Sequence, residues 1–205
     1  WTPAADEDSD TEKEMKLLEK MKSRLRGFMR SRTCVGFLRQ LMSPDFSDRI
    51  TGILTSDGDG NKKMRVVVYG LGSIGNSDRS ATHLCFALFL KRMLHWIGGI
   101  DVFDPVISST EAKVLTSLGC YVVPLNEQCR RRVTEPTLFF MPHCDIFMYD
   151  NVLQANWRAD LLSNVIILGN SFERYRKHRE IVRLAPHLAT HVFSATDFVE
   201  EVKLD

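Results

Sequence analysis

The stretch that most restricts the fold of this chain is Arg65 to Gly75, RVVVYGLGSIG. The β-branched run Val66-Val67-Val68-Tyr69 reads as a buried strand. It leads directly into Gly70-Leu71-Gly72-Ser73-Ile74-Gly75, with a long apolar helix candidate behind it. Strand, glycine turn and helix together make a phosphate- or nucleotide-cradling geometry. Gly70 is expected to make the tight turn, Gly72 to let backbone approach a ligand, and Gly75 to let the helix pack close to the sheet. Backbone N–H groups at the helix start would face an anion, aided by the helix dipole. The motif alone does not separate a binding turn from one kept for packing.

A chain of 205 residues accommodates one domain with an extension, or two small ones. With 44% hydrophobic and 26% charged residues it has the composition of a globular protein, and a formal net charge of +1 gives no general basic field for nucleic acid. The five cysteines, Cys34, Cys85, Cys120, Cys129 and Cys144, show no CxxC spacing and are expected to be reduced thiols of an intracellular protein. No run is long and apolar enough to span a bilayer, and none reads as a signal peptide. The expected location is the cytoplasm, with the nucleus as a second compartment. The chain opens on Trp1 rather than Met, so targeting information is expected to be missing.

Residues 1–10 are acidic and polar and are expected to be disordered. Residues 11–64 are expected to form N-terminal helices and a loop packed on a main domain spanning 65–205. Thr11 to Arg30 carries an apolar stripe, Met15, Leu18, Met21, Leu25 and Phe28, with acidic residues leading and basic ones trailing. A second helix is expected over Thr33 to Met42, stopped by Ser43-Pro44-Asp45. Asp57, Asp59 and Asn61 imitate the start of a calcium loop, but its twelfth position is Val68, which excludes calcium.

Beyond the glycine turn, Asn76 or Ser77 can cap a helix over Ala81 to Ile97. It is apolar on nearly every face and therefore expected between the sheet and the N-terminal helix, with Gly98-Gly99 ending it. Strands are expected at Ile100–Phe103, Cys120–Val123, Thr137–Met141 and Asn164–Leu168, and a sixth at His191–Ala195. Helices are expected over Ser109–Leu118, along the Ile146, Tyr149, Leu153, Trp157, Leu161 stripe, over Phe172–Arg183 and over Asp197–Val202. The alternation predicts an α/β fold: a Rossmann-like, doubly wound, mostly parallel sheet of five to six strands, helices on both faces and an N-terminal helical extension.

Ligands of such sheets lie at the carboxyl ends of the strands. The polar clusters of this chain fall there: Gly70, Gly72, Ser73 and Gly75; Asp104; Pro142, His143 and Cys144; Asn170 and Ser171. Asp104 stands where dinucleotide and S-adenosylmethionine folds hold a ribose diol, or else it caps the next helix. Asn170 and Ser171 suit either a ligand or a helix cap. His143 is a candidate acid or base. Neighbouring residues on an extended chain diverge, so His143 and Cys144 are not a nucleophile–base pair. No spacing is diagnostic of a metal site. Arg130-Arg131-Arg132 suits a phosphate clamp or, more simply, a solvated crossover.

YGLGSIG, VFDP with Glu111 and Leu118-Gly119 behind it, FFMPHCD, Asn156-Trp157 and LGNSFERY, in this order, resemble the Sensitivity to Red Light Reduced family over Arg65 to Val202, and the chain is similar to its animal members. The resemblance implies a regulatory protein acting in heme biosynthesis and circadian clock gene expression. Its outline also resembles class I methyltransferases. Here PHC replaces their Pro-Pro-aromatic motif, and only one strand candidate follows the fifth, where two are usual. None of the five cysteines precedes a proline, so the short heme-regulatory motif is excluded. The implied ligand is nucleotide-like, S-adenosylmethionine or a dinucleotide ahead of heme, and protein partners are expected. An S-adenosylmethionine-dependent enzyme and a ligand-free interaction module are the competing readings.

Overall fold

The structure is a computed structural model that describes residues 5–55, 62–177 and 189–203. Three helices come first, α1 (Ala5–Met29), α2 (Arg32–Leu41) and α3 (Pro44–Thr55). A parallel α/β series follows: β1 (Met64–Tyr69), α4 (Asp78–Met93), β2 (Ile97–Phe103), α5 (Ser109–Ser117), β3 (Tyr121–Val122), β4 (Thr137–Met141), α6 (Ile146–Ala155), α7 (Ala159–Leu162), β5 (Val165–Gly169), α8 (Phe172–Lys177) and α9 (Thr190–Ala195). The strand order is β3-β2-β1-β4-β5 and every pairing is parallel. The order reverses between β1 and β4, so the crevice of a doubly wound sheet lies beyond their carboxyl ends.

Period-two alternation divides the core. Val66, Val68, Leu138 and Phe140 face α4, while Val67, Tyr69, Phe139 and Met141 face α6 and α9. The strands are apolar on both faces because both are covered. As expected, α4 is buried on two sides, with α1 packed on it and on α5. Leu17, Leu18, Met21, Leu25 and Phe28 of α1 meet this core, whereas Met15 points to solvent at 63% exposure.

Several expectations are corrected. Ser43-Pro44-Asp45 does not only stop α2; it starts α3, because proline is tolerated in the first turn, and the Ser43 hydroxyl accepts from the Phe46 N–H at 3.4 Å. Gly98-Gly99 does not end α4 but forms an irregularity inside β2, where Met64 pairs with Ile97 and Val66 already with Ile100. The apolar stripe after β4 breaks at Asn156, which caps α6 and leaves Leu161 to α7. His191–Ala195 is not a sixth strand but α9, and its first N–H groups, of His191 and Val192, donate to the buried Asp150 carboxylate at 2.7 and 3.0 Å. Among the described residues the sheet therefore has five strands. No helix forms over Asp197–Val202; a turn leads into a segment without regular secondary structure. The calcium-like loop residues Asp57, Asp59 and Asn61, and the far half of the helix expected over Phe172–Arg183, lie outside the described residues.

Candidate functional site

The glycine turn adopts the conformation its residues suggest, but its donors point at protein carboxylates. Gly70 and Gly72 have φ of +68° and +74°, in the left-handed region that favours glycine. A Cβ on Gly70 would lie 2.7 Å from Cys144 Sγ, and one on Gly72 2.7 Å from Ser80 Oγ. The Gly72 N–H donates to Asp104 Oδ2 at 2.8 Å. The Gly75 N–H and the Ser73 hydroxyl donate to Glu111 Oε1 at 2.9 and 2.7 Å.

Glu111 belongs to a capping box: its Oε2 accepts from the Ser108 N–H and hydroxyl, both at 2.9 Å, and Ser108 Oγ caps α5. Burial pushes the Glu111 carboxyl up, but the donors of Ser108, Ser73 and Gly75 outweigh burial and leave it below the usual glutamate range. Sequence reasoning did not place Glu111 at the turn. The S-x-x-E spacing that signals a capping box was the available clue.

On the α6 side of this turn lies a cleft of 240 Å³, lined by Gly70, Phe103, Asp104, Asn126, Met148 and Asn151 among others. Gln128 and Cys129 form its rim with φ of +51° and +59°, held by the Asn126 carboxamide oxygen, which accepts from the Gln128 N–H, and by the Asn151 amide, which donates to the Gln128 carbonyl. Those residues were not legible as site residues. Two successive left-handed non-glycine residues have no sequence signature.

Pro142, His143 and Cys144 follow β4. Cys144 is buried, its Sγ 3.5 Å from the Tyr69 carbonyl oxygen. His143 is exposed, with φ of +61°, and its ring stacks on His83 of α4 with centroids 5.6 Å apart. Burial first, then His143 and Arg79, hold the His83 pKa below the usual histidine value. His143 and Cys144 diverge as expected. Burial pushes the thiols of Cys144 and Cys129 up to about 12, so neither is poised as a nucleophile.

Asn170 ties this loop to β5. Its carboxamide oxygen accepts from the His143 N–H at 3.3 Å, and its amide donates to the Cys144 carbonyl at 3.2 Å and to the Tyr175 hydroxyl at 2.7 Å. Ser171 turns elsewhere: its hydroxyl donates to Glu201 and accepts from the Arg174 N–H, as a helix cap does. The turn, Asp104, Cys144 and Asn170 thus form one connected edge, with Ser171 outside it.

Arg131 is spent in an internal network. It pairs with Asp101 at 2.6 Å and Glu127 at 2.9 Å, and Glu127 accepts from the Tyr69 hydroxyl. Among the described residues no group of three or more His, Cys, Asp or Glu side chains could hold a metal ion, and no helix is long and apolar enough to cross a membrane.

The SRR1 domain matches residues 38–203. The chain is 43% identical over 169 residues to the Arabidopsis thaliana protein SENSITIVITY TO RED LIGHT REDUCED 1, covering 82% of this chain and 60% of that one. It is 39% identical over 136 residues to the SRR1-like protein of Mus musculus, covering 65% and 54%, and 32% identical over 112 residues to that of Drosophila melanogaster, covering 53% and 39%. This chain therefore spans 60% or less of the length of the curated relatives it matches. No solved structure matches it. The match takes in α3, all five strands and the segment after α9, so by most of its length this chain belongs to the SRR1 domain family.

Proposed function

We infer that this chain is a regulatory protein that uses the cleft beside Asp104 to hold a small ligand of adenosyl type. The regulatory half rests on kinship: the plant relative is named for reduced sensitivity to red light, which is a response rather than a reaction. Clock gene expression and heme biosynthesis are the processes this reading assigns to it. Its partners are other proteins, and it works in the cytoplasm with access to the nucleus.

The ligand half rests on one observation: the glycine-turn donors are already given to Asp104 and Glu111. A pyrophosphate on that turn would face two carboxylates, and like charges repel. A ribose would not meet that penalty. Each Asp104 oxygen accepts one backbone N–H, from Gly72 or Val106, and a carboxylate oxygen has a second lone pair for a hydroxyl. At 240 Å³ the cleft lies below the roughly 300 Å³ where pockets for drug-sized ligands begin, which suits a nucleoside better than a dinucleotide.

The test is thermal-shift titration with S-adenosylmethionine, S-adenosylhomocysteine, NAD, NADP, ATP and hemin, each far above any plausible Kd. A ligand at about 100 times its Kd adds roughly 2.7 kcal/mol, a shift of several degrees in Tm. The expected pattern is a shift with the adenosyl compounds, lost in Met148→Trp, which fills the cleft from α6. Methyl transfer to any substrate would turn the reading into the enzyme one. A shift with hemin alone would make direct heme sensing the better account. No shift with any of them would leave a protein-interaction module.

A further inference from the structure

A second pocket lies on the opposite side of the sheet from this crevice. Its roof is formed by Leu41 of α2 with Phe46 and Ile50 of α3; its floor is formed by Leu138 of β4 with Ile166 and Leu168 of β5. Trp96, just before β2, closes one end. The volume is 160 Å³. The pocket opens to solvent at a mouth, and its volume is that of a small guest rather than of a single water molecule. A cavity of about 150 Å³ lined by Leu, Ile and Phe stays dry and takes up benzene.

The mouth is crossed by residues 200–202. Glu200 pairs with Arg49 of α3, which also pairs with Asp45. Glu201 accepts from the Ser171 hydroxyl and the Glu173 N–H, both at 2.7 Å, at the start of α8. Val202, half exposed, then lines the opening. The segment is a strap between α3 and α8, fastened by two carboxylates and closed with an apolar side chain. Among the described residues Glu200 is the one charged residue of the lining, and Arg49 already answers it. An ionic or strongly polar head group would leave its hydration behind without gaining a partner from the apolar walls, whereas an apolar ring gives up no hydrogen bond on entering. Both walls and the strap lie inside the family domain, which runs from residue 38 to 203.

We propose that this strapped pocket is a binding site for a small, uncharged, apolar ring compound of benzene to indole size, independent of the crevice at the glycine turn. The probes are toluene and indole, titrated into the full chain by thermal shift and by methyl chemical shifts of Leu41, Ile50, Ile166 and Leu168. The expected result is saturable binding, a rise in Tm of several degrees near 100 times Kd, and shifts confined to those methyls. Ile50→Phe fills the pocket from its roof and should abolish the response while the protein stays folded; Leu168→Phe does the same from the floor should the first variant fail to fold. Met148→Trp, at the other cleft, should leave the response intact. Glu200→Gln loosens the strap and should speed ligand exchange several-fold. No saturable response, or one that survives in a folded filling variant, overturns the site; exchange unchanged in Glu200→Gln overturns the strap as its gate.

Discussion

At the scale of single residues, the site depends on two that must be small or charged. Gly70 combines a positive φ with a Cβ position 2.7 Å from Cys144 Sγ. Gly70→Ala therefore meets left-handed strain of about 1–2 kcal/mol and a steric collision with a buried side chain. Urea unfolding should show a loss of at least about 2 kcal/mol. Adding Cys144→Ala should return the collision part and not the strain, since the two residues touch and their effects are coupled. Glu111 gives a pH signature. Its folded pKa lies below its unfolded value, so its contribution is fully present above the ordinary glutamate pKa of about 4.3 and is lost as pH falls through the lowered folded value. Glu111→Gln should be less stable at neutral pH and lack that part of the acid-side loss, measured as Tm between pH 3 and 7.

The glycines at this scale were legible because a tight turn after a strand has few sequence solutions. Asp104 was legible as a ribose holder or a cap, and the structure shows it bonded to the turn itself. Glu111 was not, because its role depends on α5 folding back beside a turn more than thirty residues earlier. For Ser171 the sequence leaves a crevice ligand and a helix cap open, and its hydroxyl takes the cap of α8 and also meets Glu201.

At the scale of elements, α1 shows what a stripe predicts and where it fails. Met21 is 1% exposed and Met15 is 63% exposed, although both fit the same helical periodicity. The stripe drifts around the helix, and α4 and α5 cover only part of it. Met21→Ala should cost about 2–5 kcal/mol in chemical unfolding, and Met15→Ala should stay within about 0.5 kcal/mol. The five strands were legible from β-branched and aromatic runs, because a parallel sheet covered on both faces demands them. The helix α9 was not. His191-Val192-Phe193 reads as strand by local preference, but the Asp150 carboxylate supplies the first-turn acceptor that the helix's own sequence lacks. Tertiary context outweighs propensity there. Likewise, Pro44 follows the end of α2 and starts α3, and only the following apolar residues, Phe46 and Ile50, decide that a second helix forms.

At the scale of the whole molecule, all five cysteines are free and buried. Burial pushes Cys85 and Cys120 up to about 11, and Cys129 and Cys144 up to about 12. Ellman's reagent at pH 8 should find almost no reactive thiol in the native protein and five after denaturation. Rapid native labelling of even one would mean that the surrounding packing opens readily.

The strap at residues 200–202 has a consequence for synthesis. The central strand β1 leaves the ribosome before its neighbours, and the sheet is built outward from it in both directions. Phe46 and Ile50 emerge early, but the floor they pack over, Leu138, Ile166 and Leu168, follows about 90 to 120 positions later, and Glu200 and Val202 of the mouth later still. Through that interval a nascent chain displays first the bare apolar face of α3 and then an uncovered oily recess, both surfaces of the kind that chaperones bind. Ribosome-stalled chains ending before Glu200 should be held by such factors, and chains long enough to free Val202 from the exit tunnel should be released.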